Sequence, residues 1–354
     1  MLPHLSIIIP TLNESKAIVE LLENLFKQEK APLFEIIVVD GGSNDGTNAR
    51  INSALEAYGS NVYLVHSSAG RGRQMNEGVK QAQGKAFLFL HADTVITDPL
   101  LLHHAHQDMQ AAYEQYGHER VAGHFGLHFI REQSGYERAY YFYECKTRLN
   151  RDGCINGDQG LWIGRDFFTE LGGFDESLPF MEDARIASAI FQYGEWLTLS
   201  GGMFTSARRF ESEGLKERQT LNALMCAMDD IGMEAFFLRA TEVYRSQKDV
   251  TQLKLWPFLK VIHQSTWERG WKQGVIWWWG TGKYVISNAW QLVFALDCRN
   301  QYANNIPVSD VQAPRLRHYD RYFRVIVESF IGQFLAMVVT FLWFYGRLLF
   351  RRSK

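Results

Sequence analysis

Three short apolar stretches, separated by polar segments, dominate the first hundred residues of the chain. They cover residues 5–10, 34–40 and 86–90, and none of them alternates between apolar and polar positions. Strands that are covered on both faces have this continuous apolar composition, whereas strands with one face in water alternate. The pattern therefore predicts a mostly parallel β-sheet with helices on both faces, which is an α/β fold.

Helical patterns lie between these stretches. Residues 15–28 place apolar side chains at the spacing of one helix face, and these are Ile18, Leu21, Leu22, Leu25 and Phe26. Residues 74–82 leave room for a second, shorter crossover helix. Strands and helices that alternate in this way form βαβ units, and ligands of such sheets bind beyond the carboxyl ends of the strands.

Composition narrows the class of protein. The chain has 354 residues, of which 46% are hydrophobic and 21% charged, and its formal net charge is -2. A globular protein of one large or two smaller domains is expected, with no nucleic acid among its partners. The four cysteines form no zinc-binding pattern and fit reduced thiols in the cytoplasm. The N-terminus has neither the basic start nor the cleavage site of a secretory signal.

Two aspartates follow predicted strands directly. Asp40 opens a turn over residues 40–47, where it can accept hydrogen bonds from a nucleobase or ribose, and where glycines such as Gly42 let a ligand approach the backbone. Asp93 ends the triplet that begins at His91, and a carboxylate there can hold a divalent cation against a diphosphate. A structural alternative exists for both, because aspartates also cap turns and helices.

Two arginine pairs suggest a phosphate-binding role. Arg71 and Arg73 alternate with glycines before a predicted helix, where guanidinium groups and free amides suit an anionic diphosphate. Arg208 and Arg209 follow a predicted strand and can steady a departing nucleoside diphosphate. Solvated surface positions are the alternative for all four.

A carboxylate pair, Glu182 and Asp183, opens a predicted helix. The helix dipole favours carboxylates in a first turn, which is a purely structural reason to find them there. The same dipole keeps Asp183 ionised and able to accept a proton from a hydroxyl group.

The order of these segments resembles that of family 2 glycosyltransferases of the GT-A fold, over about the first two thirds of the chain. The likeness is carried by Ile9-Pro10-Thr11-Leu12-Asn13-Glu14, Val39-Asp40-Gly41-Gly42-Ser43-Asn44-Asp45-Gly46-Thr47, Leu90-His91-Ala92-Asp93-Thr94, Gly172-Gly173-Phe174-Asp175 and Glu182-Asp183. A bacterial subgroup often labelled arsenosugar-biosynthesis-type is most similar, on account of Gly157-Asp158-Gln159 and Thr205-Ser206-Ala207-Arg208-Arg209.

This resemblance implies an enzyme that transfers a sugar, with inversion, from a nucleoside-diphosphate donor to an acceptor hydroxyl with the help of Mg²⁺ or Mn²⁺. By position, Asp93 is the expected metal ligand, Asp183 the expected general base, and Glu182 its catalytic neighbour. The residues expected at the donor are Pro10, Glu14, Asp40, Gly42, Arg71, Arg73, His91, Arg208 and Arg209.

One position departs from the family pattern. The usual triplet is Asp-x-Asp, and its first member here is His91. A neutral imidazole can bind a metal or the ribose, but the site loses one negative charge. Weaker metal affinity is therefore expected, with phosphates and water completing the shell of the cation.

The C-terminal third is rich in aromatic residues, and a GT-A domain over residues 1–250 followed by a helical region over 251–354 is predicted. Residues 329–346 form an uncharged apolar segment near the lower limit for a membrane-spanning helix. Arginines flank it on both sides, which favours a helix in the membrane plane over a span. The expected location is the cytoplasmic face of the inner membrane, near a lipid-linked acceptor. If the helices only cover the core, the protein is cytoplasmic.

Two other functions fit part of the pattern. A nucleotidyltransferase would also need a metal-binding aspartate and arginines, but would release pyrophosphate and would not need the pair Glu182 and Asp183. A non-catalytic membrane scaffold would keep the fold without needing Asp40, Asp93 and Asp183 together.

Overall fold

The computed structural model describes residues 2–58, 61–177, 179–245, 247 and 252–350. It divides into two compact units, residues 1–131 with 143–206, and residues 132–142 with 207–354. The boundary predicted near residue 250 stays a prediction, and residues 248–251 lie outside the described part of the chain.

The first unit is built on one sheet of seven strands. The strands are β1 (Leu5–Thr11), β2 (Phe34–Asp40), β3 (Val62–His66), β4 (Ala86–Phe89), β5 (Val121–Ile130), β6 (Leu161–Gly164) and β7 (Glu195–Ser206). Their order is β3-β2-β1-β4-β6-β5-β7. Only β6 runs antiparallel to its neighbours, so the predicted mostly parallel sheet is confirmed.

Helices lie on both faces of this sheet. They are α1 (Ala17–Phe26), α2 (Thr47–Tyr58), α3 (Arg71–Gln81), α4 (Leu101–Tyr116), α6 (Arg165–Glu170) and α7 (Glu182–Tyr193), while α5 (Glu137–Lys146) is shared with the second unit. In β1, Ile7 belongs to the core on one face and Ile8 to the core on the other, and both are fully buried. Burial on both faces explains why the central strands read as continuous apolar stretches.

Gln74 fixes the carboxyl ends of two central strands. Its amide nitrogen donates hydrogen bonds to the carbonyl of Thr11 at 2.9 Å and to that of Val39 at 2.8 Å. The side chain is 3% exposed, so both hydrogen bonds are shielded from water, and the Thr11 carbonyl also accepts from the N–H of Gly41 at 2.9 Å. Gln74 thereby holds the β1 and β2 ends together, next to Asp40.

The second unit is helical, and it contains the C-terminal region that was predicted to be helical. After the start of α5 it contains α8 (Arg208–Glu213), α9 (Leu215–Asp230), α10 (Glu234–Arg245), α11 (Trp256–Glu268), α12 (Trp271–Ser287), α13 (Trp290–Ala303), α14 (Pro314–His318), α15 (Arg324–Val327) and α16 (Phe330–Phe350). The apolar and aromatic residues 274–296 are divided between α12 and α13. The side chain of Trp290, at the start of α13, is buried.

One side of α16 is attached to the other helices of this unit. Tyr345 accepts a hydrogen bond from the indole nitrogen of Trp267 at 2.7 Å, and Trp256 donates to the carbonyl of Leu348 at 3.1 Å. A Cβ at Gly282 would lie 2.6 Å from the Cβ of Met337, so this glycine lets α12 and α16 pack closely.

Candidate active site

Arg71 connects residues from three segments of the first unit at the carboxyl edge of the sheet. Its Nε lies 2.7 Å from Oε1 of Glu182, in the first turn of α7. Its Nη1 lies 3.1 Å from Nε2 of His91, which follows β4. Burial alone would lower the pKa of the Arg71 guanidinium, but Glu182 and other nearby carboxylates raise it above its usual value. Arg71 is therefore a permanent positive charge in this cluster.

Asp183 is held as a carboxylate beside Arg71. Its Oδ2 accepts a hydrogen bond from the backbone N–H of Gly157 at 2.9 Å, and its Oδ1 accepts one from the N–H of Ala184 at 2.9 Å. Burial acts to raise the pKa of Asp183, but Arg71 and the Gly157 amide outweigh it and hold the pKa below its ordinary value. The carboxylate is thus ionised at neutral pH, as a general base must be.

Asp158 contributes a further carboxyl group to the cluster. Burial, followed by the negative charges of Asp183 and Asp93, raises the pKa of Asp158 to about 7. Its Oδ1 is buried, and within the described residues it has no hydrogen-bond partner. A buried acceptor without a donor costs free energy, and a cation or a proton at this atom would remove that cost.

Gly157 lies between two of the side chains in this cluster. A Cβ at this position would be 2.9 Å from Nε2 of His91 and 3.1 Å from Oδ2 of Asp183. The absence of a side chain therefore allows the backbone of residue 157 to approach both groups. Gly157, His91 and Asp183 line a small pocket together with apolar residues, among them Phe89, Ile155 and Trp196.

Asp40 uses its carboxylate to order the loop that follows β2. Its oxygens accept hydrogen bonds from the N–H groups of Gly42 and Ser43 and from the side chain of Asn48, at 3.1 to 3.2 Å. Burial opposes ionisation, but these hydrogen bonds prevail and lower the pKa of Asp40. The carboxylate of this predicted donor contact is therefore engaged with its own loop.

The remaining donor-site candidates of the first unit lie near this loop or at the surface. Pro10 is buried within β1, and the backbone N–H of Glu14 donates to Oγ1 of Thr47 at 3.0 Å. Arg73 is exposed, and its Nε forms an ion pair with Glu176 at 3.1 Å. The geometry thus joins Arg71, but not Arg73, to the carboxylate cluster.

Arg208 and Arg209 belong to the second unit. Both are exposed, and they form the first turn of α8. Their predicted role at the donor stays a prediction.

In the part of the chain that the structure describes, no three His, Cys, Asp or Glu side chains are grouped closely enough to hold a metal ion. The chemistry of the donor set nevertheless fits a hard cation, because Asp93 and Asp158 interact electrostatically and Asp158 has an unsatisfied buried oxygen.

The sequence reading gave no role to Asp158 or Gly157. Both lie in the segment Gly157-Asp158-Gln159, which was noted only for its likeness to one bacterial subgroup. The available signal was a glycine followed by an acid, in a turn before a buried strand.

Comparison with known proteins identifies the N-terminal part of the chain. Residues 6–171 match the family model described as Glycosyl transferase family 2. A segment of 98 residues is 37% identical to the poly(ribitol-phosphate) beta-N-acetylglucosaminyltransferase TarS of Staphylococcus aureus, covering 27% of this chain and 17% of TarS. A segment of 93 residues is 38% identical to a PGL/p-HBAD biosynthesis glycosyltransferase of Mycobacterium bovis, covering 26% of this chain and 36% of that enzyme. The matches thus span about a sixth and about a third of these relatives.

Solved structures are similar at a lower level. The mannosyltransferase PcManGT of Pyrobaculum calidifontis, in complex with GDP-Man and Mn²⁺, is 16% identical with a TM-score of 0.47, over 97% of this chain and 88% of that chain. Residues 1–349 of TarS in complex with UDP-GlcNAc give 16% identity and a TM-score of 0.45, over 85% of this chain and 92% of that chain. Residues 6–171 of the chain are thus similar to glycosyltransferase family 2.

Proposed function

We propose that this glycosyltransferase moves a sugar from a nucleoside-diphosphate donor to an acceptor hydroxyl with inversion at the sugar carbon. The observation that carries the proposal is Asp183, an ionised carboxylate in the first turn of α7, held by the Gly157 amide beside Arg71. A base in fixed position and a nearby guanidinium are the two groups that a single displacement needs. TarS and the mycobacterial relative, both named as glycosyltransferases, support the reaction class.

In the proposed reaction, Asp183 accepts the proton of the acceptor hydroxyl while the oxygen of that hydroxyl forms a bond to C1 of the sugar. The bond from C1 to the diphosphate oxygen breaks at the same time, and its electron pair leaves with the diphosphate. Arg71 donates hydrogen bonds to that oxygen as negative charge develops on it. The apolar wall formed by Phe89, Ile155 and Trp196 keeps water from competing with the acceptor.

We propose further contacts to the nucleoside and the diphosphate of the donor. Asp40, Gly42, Pro10 and Glu14 would contact the nucleoside at the ends of β1 and β2, where strand ends form the ligand edge of such sheets. Because the Asp40 carboxylate is engaged with its loop, a nucleoside would share or exchange these hydrogen bonds. Arg73, Arg208 and Arg209 would assist the diphosphate.

Mg²⁺ or Mn²⁺ would be held by Asp93 and Asp158, with phosphate oxygens and water completing its coordination. The buried, unsatisfied Oδ1 of Asp158 supports its addition to the ligand set. The bound cation would neutralise charge on the departing diphosphate. His91 is a poor ligand through Nε2, since that atom already accepts from Arg71.

We also propose that the enzyme acts at the cytoplasmic face of a membrane on a lipid-linked acceptor. Among the described residues, α16 is the one helix long and apolar enough to cross a membrane, and only 11% of its most apolar window is buried. Phe330 is 71% exposed and Leu335 57%. Exposed apolar surface of this kind is typical of membrane contact. The hydrogen bonds from Trp267 and Trp256 fix the other side of α16, which favours an in-plane helix.

The reaction is tested by incubating the purified protein with UDP- and GDP-sugars and Mn²⁺, and measuring the nucleotide product. Release of a nucleoside diphosphate supports glycosyl transfer, and release of pyrophosphate would indicate a nucleotidyltransferase instead. Asp183→Asn should lower transfer from a verified donor by about 10²–10⁴-fold, the usual contribution of a general base. Asp166→Asn, on α6, is the control. Turnover by Asp183→Asn close to wild type would refute the assignment.

Membrane contact is tested by flotation with phospholipid vesicles that contain anionic lipid. The wild-type protein should float, while Ile331→Asp/Leu335→Asp should remain in the soluble fraction, because two charges would enter the apolar interface. Leu238→Asp makes the same change at an exposed leucine of α10 and should still float. A wild-type protein that stays soluble without detergent and does not float contradicts the proposal.

A further inference from the structure

Glu182 is too enclosed to exchange a proton with an acceptor. Its side chain is only 3% exposed, whereas that of its ion-pair partner Arg71 is 38% exposed. Burial raises the pKa of Glu182 above its ordinary value, and Arg71 counteracts this only in part. The carboxylate therefore faces a guanidinium within the protein rather than the position of a ligand.

The backbone around this ion pair brings α3 and α7 close together. A Cβ at Gly72 would be 3.2 Å from the Cβ of Glu182 and 3.0 Å from the carbonyl oxygen of Asp175. The glycine after Arg71 thus permits a short distance between the two helices. This distance places Oε1 of Glu182 2.7 Å from Nε of Arg71, in an ion pair, although Oε1 has no hydrogen-bond partner among the described residues.

The second contact of Arg71 fixes the state of His91. A guanidinium has only N–H donors, so the Nε2 atom of His91 must accept the hydrogen bond from Nη1. A neutral imidazole that accepts at Nε2 carries its proton on Nδ1. Arg71 thereby connects Glu182 to the tautomer of His91. Its Nη2 group makes no hydrogen bond within the described part of the chain.

We propose that Glu182 is a positioning residue that acts through Arg71. The carboxylate holds Nε, so that Nη1 contacts His91 and Nη2 faces the donor diphosphate. This inference rests on the proposed glycosyl transfer for the identity of the diphosphate. It replaces the catalytic role that the sequence suggested for Glu182, and it leaves Asp183 as the proton acceptor.

A double-mutant cycle separates a positioning role from a direct one. Glu182→Gln keeps the shape of the side chain but removes its charge, and should weaken binding of UDP or GDP about tenfold by calorimetry, as loss of a buried charge partner does. In an Arg71→Ala background the same change should alter binding and kcat less than about twofold, because the group through which Glu182 acts is gone. Glu170→Gln, at the exposed 2.7 Å pair with Arg120, is the control and should bind like wild type.

Nitrogen-15 NMR of the imidazole groups provides a readout that does not require a donor. Wild-type His91 should show the Nδ1–H tautomer, Arg71→Ala should lose it, and Glu182→Gln should shift the Nε2 resonance of His91. If His91 responds but no nucleotide binds, the proposed function fails while the positioning role stands. If nucleotide binds and Glu182→Gln neither shifts His91 nor weakens binding, the positioning role is wrong.

Folding is controlled by thermal unfolding of each variant. Should Glu182→Gln fail to fold, Glu182→Asp is the second variant, since it keeps the charge but withdraws it by one methylene group. Glu182→Asp should also weaken nucleotide binding and shift His91. A further drop in kcat when Glu182 is changed in the Arg71→Ala protein would overturn the inference, because Glu182 would then act independently of Arg71.

Discussion

Substitution of Gly157 by alanine tests whether the close approach of this residue to His91 and Asp183 matters for activity. The new Cβ would lie 2.9 Å from Nε2 of His91 and 3.1 Å from Oδ2 of Asp183, whereas ordinary van der Waals contact begins near 3.4 Å. The atoms must therefore separate by about half an ångström. Overpacking of this kind costs about 1–3 kcal/mol of unfolding free energy.

The displacement acts on the proposed base. Because the Gly157 amide donates to Asp183, any movement of residue 157 lengthens that 2.9 Å hydrogen bond or carries the carboxylate with it. A misplacement of about 1 Å at a reacting group can cost about 10²-fold in rate. We expect kcat of Gly157→Ala to fall about tenfold or more, while binding of the nucleoside diphosphate changes little.

The assay measures kcat and KM with a verified donor, and unfolding in urea. Gly164→Ala is the matched control, because its Cβ would meet only Tyr113 at 3.7 Å and Glu119 at 4.0 Å, and because its φ of -63° suits any residue. The control should keep wild-type activity. If Gly157→Ala also keeps kcat within twofold of wild type, the position of Asp183 does not limit the reaction and the reasoning is wrong.

Three further predictions concern stability. The pKa of Asp158 is about 7 in the native chain against 3.8 for a free aspartate, so the native state retains a proton that the unfolded state releases. Unfolding free energy should therefore fall from about pH 4 to pH 7, by up to about 1.4 kcal/mol per pH unit. Urea unfolding measured in the presence of EDTA should show that Asp158→Asn removes this dependence of unfolding free energy on pH. Gln74→Leu removes two buried hydrogen bonds that join the ends of β1 and β2 and should cost about 1–3 kcal/mol in the same assay, with exposed Gln81→Leu near neutral. Tyr345→Phe removes the acceptor of Trp267 and should cost about 1 kcal/mol by calorimetry, without changing nucleotide binding.

The sequence predicted those strands in which consecutive residues are all buried. The strands β1, β2 and β4 are buried on both faces, which leaves a continuous apolar pattern in a single segment. By contrast, β5 contains His124 and His128 within its ten residues, and such a pattern gives no clear strand signal.

The candidate site was predictable only as a set of separate residues. Asp93, Asp183 and Arg71 each carry chemistry that a motif can indicate, but no local pattern shows that Arg71 faces Glu182 or that Arg73 pairs with Glu176. Those pairings depend on how α3 packs against its surroundings. Tertiary contacts therefore determine that Arg71, and not Arg73, lies in the carboxylate cluster.

The charge balance of the cluster explains how a histidine can replace the first acid of the triplet. His91 is a neutral acceptor for Arg71, so residue 91 does not supply the negative charge that an aspartate would have there. Asp158 restores a carboxyl group from a different segment, close enough to Asp93 and Asp183 for their charges to raise its pKa. These carboxylates together exceed the single charge of Arg71, and a diphosphate alone would be repelled by the surplus. A divalent cation that enters with the diphosphate removes this repulsion, so donor and metal should bind together. Asp158→Asn should weaken the binding of Mn²⁺ more than that of the nucleotide.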